Sequence, residues 1–413
     1  MMHSGGVFSP GRLLRTTVIG AATLAAAAVS VAVSFAAMTQ KTAPAQALLL
    51  WPSGEAKASF AAQILTKPDR DGSYTHARQL TREALLRQPM SVRAAGTLAL
   101  LEAAERRPRQ AERLLAYSER LSRRDLPTQF ALIEIRVQAN DIPGALVHYD
   151  RALRTSKAAE PILIPVLVTA SNDMDVARPL APLLAARADW WKPFTLRMIQ
   201  QDTSAPSSYT LLHALHLDMR RPDEHAMAED AMQRMAGHGR VDLAARLYTE
   251  LQPDRPVPAA TVHDGAFKLT HTLAPFDWSL TDRTDLSATV EVRPDGKGNG
   301  LFLAATNAAS GTVARQLLMP TPGRYALGFD IGGLPPAGGR VTATVRCNGS
   351  DTPLAFIRPT PVVDTGTTAR RIGMPFTVSS TCRGLWIEFS AQASDSMDTT
   401  APWIGAVAVT PQR

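Results

Sequence analysis

Cysteine is nearly absent from this chain: two among 413 residues, Cys347 and Cys382. Without CxxC spacing, and with no histidine after Cys347, the pair excludes a cysteine-rich zinc fold and a disulfide-dense miniature scaffold. Aromatic residues are sparse as well, at 6%, so an aromatic ligand platform has few rings to draw on. The sequence also lacks GxSxG, HExxH and GxxxxGK(S/T), the spacings that carry a nucleophile elbow, a zinc protease helix and a phosphate cradle. Gly296, Gly298 and Gly300 lie between two strand-like runs and read as a turn. His213 and His216 stand three apart with Asp218 nearby, a spacing that permits shared metal ligation, although a surface or packed pair is its commoner source. Glycosidase chemistry needs two carboxylates about 5–10 Å apart, and the acids of the last third are scattered. The reading is non-enzymatic, with no cofactor.

What is present is foldable material, 45% hydrophobic and 20% charged, in a chain long enough for two or three domains. Thirty prolines punctuate apolar-periodic runs. Residues 1–15 form a short N-terminus. Thr16–Ala37 then runs without a charge and, as a helix, would reach ~33 Å, enough to cross a bilayer core. Arg12 and Arg15 precede it and no charge follows until Lys41, which orients the bulk of the chain outward. The expectation is a signal-anchor at 16–37 and a linker at 38–57. A cleaved signal peptide ending at Ala45-Gln46-Ala47 is the alternative. Either way the body is exported, as in a single-pass protein of the bacterial inner membrane with its bulk in the periplasm. The net charge of +7 then points to anionic lipid, acidic glycan or acidic protein, and not to nucleic acid. In an oxidising compartment Cys347 and Cys382 are expected to pair, closing a 35-residue loop and stabilising by about 4 kcal/mol in the chain-entropy model.

A repeat organises residues 58–256. Ala77, Ala111 and Ala145 recur every 34 residues, each followed seven positions later by a small residue (Ala84, Ser118, Ala152) and four positions later by Thr81, Leu115 or Tyr149. Small residues in fixed phase are what close helix crossings demand. Each of the later two units also has a preceding helix, at 91–104 and 128–139. Two helices per 34 residues, the second carrying small–bulky–small, resembles the tetratricopeptide repeat. The closing proline of that family stands at Pro89, but Arg123 and Lys157 take its place in the next two units. The period blurs after Pro161 and returns at Ala244 and Tyr248. The resemblance implies an α-solenoid, which serves either as a protein-binding groove or as a rigid spacer.

From residue 257 to 413 the grammar changes to alternation. Tyr325, Leu327, Phe329 and Ile331 share one face, as do Val341, Ala343, Val345 and Cys347, with Gly/Pro clusters between runs. These features predict an antiparallel β-sandwich. Asp264–Phe267, Pro275–Trp278, Gln316–Met319 with Pro322–Tyr325, and Pro402–Ile404 come in an order that resembles jelly-roll carbohydrate-binding modules. Lys268 and Gly405 replace acids that in such modules tend to serve a structural calcium. In GLWIEFS, Leu385, Ile387 and Phe389 form an apolar face, which places Trp386 and Glu388 on the other side as the candidate sugar-binding pair. Strict alternation would put Cys382 on the Trp386 face and Cys347 on a core face, a conflict that a bulge near Gly384 would resolve.

The fold expected is therefore multi-domain, α then β: a transmembrane helix, a TPR-like α-solenoid and a C-terminal jelly roll. The function expected is a non-catalytic envelope scaffold that contacts a protein through the solenoid and a polysaccharide through the sandwich, as in exopolysaccharide synthesis or export. A structural adaptor binding only protein, and a carbohydrate-active enzyme with an unmarked site, are the alternatives.

Overall fold

The computed structural model describes residues 27–67, 72–255, 257, 259, 261–306, 308–334, 340–360, 368–393 and 401–412. The chain divides into two compact units, one up to Leu163 and one from Ile164 onward. The boundary expected at 256/257 falls inside the second. Residues 16–26 of the expected membrane span lie outside the described residues, and the remainder belongs to α1 (27–39). Among the described residues no helix is long and apolar enough to cross a membrane.

The first unit continues through α2 (Pro44–Leu50), α3 (Gly54–Leu65), α4 (Ser73–Arg87), α5 (Val92–Ala104), α6 (Pro108–Leu121), α7 (Leu126–Gln138) and α8 (Ile142–Thr155) to the start of α9 (Glu160–Ala170). Side chains of Ser53, Ser91, Asp125 and Asp141 cap α3, α5, α7 and α8 by accepting a first-turn N–H, which satisfies donors the helix cannot. Helix α3 packs on α4, α5 on α6 and α7 on α8. At these crossings Ala77, Ala84, Ala111, Ser118, Ala145 and Ala152 are all buried, each at most 3% exposed. The 34-residue spacing thus marks equivalent environments in α4, α6 and α8.

A second feature keeps the same register. Gly72, Arg106 and Asn140, again 34 apart, all have left-handed backbone (φ 74, 58 and 55°), each just ahead of the second helix of a pair. After α5 and α7 this reverses the chain so that Arg107 N–H reaches the Glu102 carbonyl and Asp141 N–H the Arg136 carbonyl, at 2.9 and 2.8 Å, the Schellman closure of a helix end. Glycine adopts that geometry freely, whereas an arginine is strained there. Arg106 is exposed, so Arg106→Gly should stabilise the unit by up to ~1 kcal/mol, read as a rise in thermal midpoint.

Between these pairs lies one buried imidazole. His148 Nδ1 donates to the Gln129 side-chain oxygen at 2.9 Å, beside the Glu119–Arg151 ion pair. Burial holds the imidazole below its ordinary value, against the opposing pull of Glu119. The folded state therefore binds a proton less readily than the unfolded chain. The stabilisation is complete above about pH 6.5 and is lost as pH falls below that value. His148→Gln should flatten the acid limb of a stability–pH profile between pH 7 and 5, without moving the neutral plateau by a comparable amount.

The second unit begins with α10 (Met174–Ala185), α11 (Trp191–Gln200), α12 (Ala205–Leu215), α13 (Pro222–Gly237) and α14 (Val241–Leu251). Ala244 and Tyr248, where the repeat returns, are fully buried. Among the described residues ten strands follow: β1 (Ser279–Leu280), β2 (Leu286–Val292), β3 (Asn299–Ala305), β4 (Ser310–Leu318), β5 (Gly323–Gly332), β6 (Arg340–Cys347), β7 (Pro353–Ile357), β8 (Arg370–Val378), β9 (Leu385–Gln392) and β10 (Trp403–Pro411). They form two five-stranded sheets, β1-β4-β9-β6-β7 and β2-β3-β10-β5-β8, antiparallel throughout. Their inward rows, among them Val313, Val345, Ile387 and Phe389 from the first sheet and Leu301, Leu327, Phe329 and Met374 from the second, make one core.

Cys347 and Cys382 are disulfide-bonded, with Cα atoms 5.5 Å apart. No bulge at Gly384 is needed. Cys382 sits in the turn before β9, so strand alternation does not extend to it. A bulge does occur in β10, between Gly405 and Ala408. It turns Trp403 away from the core that Ile404, Val407 and Val409 enter. Trp403 instead packs against Gly332 beneath the Arg293 guanidinium, 4.6 Å from its ring. Arg293 in turn pairs with Asp295 and Asp330. Gly405 leaves the room this requires, since a Cβ there would come within 2.8 Å of that guanidinium.

Candidate functional site

Trp386 and Glu388 lie where alternation places them, on the face of β9 opposite the core. That face is not open. Trp386 is 6% and Glu388 7% exposed, because α13 covers them. The Trp386 indole N–H donates to Asn348 Oδ1 at 2.9 Å, and Asn348 Nδ2 donates to the Ala236 carbonyl of α13 at 2.6 Å. The Arg315 guanidinium lies 4.8 Å over the indole and donates to Gln233 of α13 at 3.0 Å. Glu388 accepts two bonds of 2.8 Å from Arg346. One ring face, the indole N–H and both carboxylate oxygens are engaged within the protein, at a packing contact between helix and sheet. Trp386→Ala should accordingly cost about 3–5 kcal/mol of folding stability, seen as an earlier denaturant midpoint.

The residues that carry the jelly-roll resemblance are likewise structural. Asp264–Phe267 forms a turn and not an opening strand. The Asp264 carboxylate accepts the N–H groups of Lys268 and Leu269 at 2.8 and 2.9 Å. Gly265 presses against Val407 so closely that a Cβ would overlap its carbonyl. Gln316 is fully buried and is hydrogen-bonded both ways to the His263 backbone, at 2.9 Å each.

Asp277, 1% exposed, is the centre of this region. Its Oδ1 accepts from His263 Nδ1 at 2.5 Å and from the Tyr248 hydroxyl at 3.1 Å. Its Oδ2 accepts from the Leu273 N–H at 2.7 Å and from Arg255 at 3.2 Å. Burial, reinforced by the Asp277 carboxylate, pushes the Tyr248 phenol well above its ordinary value, so it stays a neutral donor. Further bonds fix the same loop to α13: His225 Nε2 donates to the Thr272 carbonyl at 2.8 Å, and Ala274 N–H donates to Glu229 at 2.7 Å.

Beside this pinned loop opens a cleft of about 690 Å³, lined by Met219, Arg220, Pro222, His225, Gln252, Arg255, Thr270, His271 and Thr272. No carboxylate lines it. Arg220 is exposed and has no ion-pair partner among the described residues. Arg255 is held by Asp277 and by the His271 carbonyl, at 2.9 Å to the latter. The lining thus offers guanidinium, imidazole, amide and hydroxyl donors on a fixed frame, a chemistry suited to a polyhydroxylated ligand bearing negative charge. His213 and His216, by contrast, do not converge on a metal. His213 bonds Glu250 at 2.9 Å and His216 the Ala214 carbonyl. Among the described residues no group of three or more His, Cys, Asp or Glu could hold one.

Sequence reasoning missed the cleft. Its residues come from the α12–α13 loop, the first turn of α13, the segment after α14 and the 270–272 segment, with no motif joining them. The available signal was compositional: Arg220-Arg221, His225, Arg255 and His271 surround the point where helical periodicity ends.

No family model matches the sequence, and a search of curated proteins found no match. Among solved structures, the chain is similar to the carbohydrate-binding module TmCBM61 in complex with β-1,4-galactotriose, at 12% identity over 36% of this chain and 92% of that one, with a TM-score of 0.25. It is also similar to an arabinose-bound α-L-arabinofuranosidase, MgGH51, at 14% identity over 37% of this chain and 26% of that one, with a TM-score of 0.26.

Proposed function

We propose that the chain is a non-catalytic, membrane-anchored scaffold of the bacterial periplasm whose second unit binds an acidic saccharide in the cleft beside Asp277. The observation that carries this reading is the lining itself: donors of both charged and neutral kinds, no carboxylate, and a backbone held rigid by buried bonds. A uronate or other acid-bearing sugar offers one anion for Arg220 and hydroxyls for Thr270, Thr272, Gln252 and the histidines. Pre-organised donors of this kind bind without the ordering cost a mobile loop incurs. The reading assigns the cleft binding and not catalysis. The helix pairs of the first unit, read as a TPR-like solenoid, serve a protein partner. In support, Leu86 and Met90 stand about 80% exposed at the end of α4 and just beyond it (85% and 78%). Exopolysaccharide synthesis or export is the system this combination suits, by analogy of architecture.

Affinity electrophoresis tests it. Polygalacturonate or alginate cast into a native gel should retard the protein, and neutral amylose should not. The retardation should weaken with added salt and fall roughly tenfold in apparent affinity for Arg220→Ala, the loss of about one charge-assisted contact. Equal retardation by neutral glycan would overturn the acidic-ligand reading, and none by any glycan would leave the protein-only adaptor. Release of reducing sugar would favour the enzyme.

A further inference from the structure

The hairpin of α1 and α2 has two unlike sides. On one, Ala36 and Ala47 are buried against Ala56 of α3, and these small side chains fix the hairpin to the body of the first unit. On the other, Val31, Phe35, Met38, Leu49, Leu50 and Trp51 are open, with Met38 at 80% and Leu49 at 87% exposure. An apolar face of that kind is costly in water. The surrounding sequence states what covers it. From Thr16 to Gly54 the only charged residue is Lys41, so the face continues an uncharged run that reaches bilayer-spanning length. It ends on a tryptophan, the residue enriched at the membrane–water boundary.

We infer that the α1–α2 hairpin seats its open face in the interfacial layer of a lipid bilayer, so that the first unit lies against the membrane surface. The inference rests on the membrane-attached reading above and changes its geometry: residues 27–37 of the expected span lie in the plane of the surface with the hairpin instead of crossing the bilayer. An amphipathic element beside a lipid-inserted segment holds the attached domain flat and limits its rotation.

Trp51 is a built-in probe. It is 42% exposed, whereas Trp190, Trp191, Trp278, Trp386 and Trp403 are each at most 6% exposed. The full chain is mixed with phosphatidylethanolamine–phosphatidylglycerol vesicles, with or without lipids brominated close to the glycerol, then floated on a gradient and its fluorescence read. The expected result is co-flotation with part of the emission quenched by bromine, and loss of that quenched part in Trp51→Phe with flotation unchanged. Leu49→Glu with Leu50→Glu should shift the Trp51 emission to the red and remove the quenching while the chain still floats. Flotation without bromine quenching in the wild type would overturn the inference and leave the anchor intact; a second copy covering the face gives this same result. A chain that fails to float overturns both.

Discussion

The Asn348 side chain joins two layers that have no sequence proximity. Its amide donates to the last turn of α13 and its oxygen accepts from the Trp386 indole in the middle of a sheet. Around it, Arg315 spans from the indole face to Gln233, and Gly384 lies close enough to Val241 of α14 that a Cβ would touch it at 3.0 Å. Every donor and acceptor at this contact is spoken for. That is the condition under which polar groups can be buried without a net loss. The consequence reaches well beyond the contact. With Trp386 and Glu388 buried, this part of the first sheet's outer face is closed, and the proposed site lies where helix and sheet diverge. The cleft beside Asp277 is such a place.

Buried charge gives the second unit its definition. Asp277 with His263, Arg255 and Tyr248, Glu224 with Arg187, and Arg293 with Asp295 and Asp330 each join segments from different elements. Such groups add little net stability over apolar packing. Removing one partner is costly, however, because an uncompensated ion remains. They therefore act against alternative packings more than for the native one. In the Asp277 cluster this has a functional side. The carboxylate that fixes the loop also holds Arg255 in position at the cleft wall, so rigidity and donor placement come from one group.

Legibility in the sequence followed how local the physics was. The helix crossings could be read because each admits only a small residue, and 77, 111 and 145 repeat that constraint at one spacing. The disulfide could be read because only two cysteines exist. Period-two alternation placed Trp386 on the correct face of β9. It could not say what covers that face, since Gln233 and Ala236 lie about 150 residues away in the chain and contact it only after folding. Trp403, although buried, lies off the shared core because a bulge after Gly405 changes the parity along β10. The left-handed residue at 106 is an arginine, the type that least advertises such a backbone. The cleft left only a compositional trace, since it gathers single residues from separate segments.

Exposed apolar side chains occur in both units. In the second, α13 and α14 pack on each other and on α11 and α12, and Met232, Met235 and Leu247 are buried. In the first, Leu86, Met90, Val137 and Val147 remain exposed on or beside helices whose opposite faces pack against one another. The polar cleft belongs to the second unit, where Val166, Leu196, Val292 and Phe356 are exposed as well. Ligand chemistry then follows from what each architecture leaves uncovered.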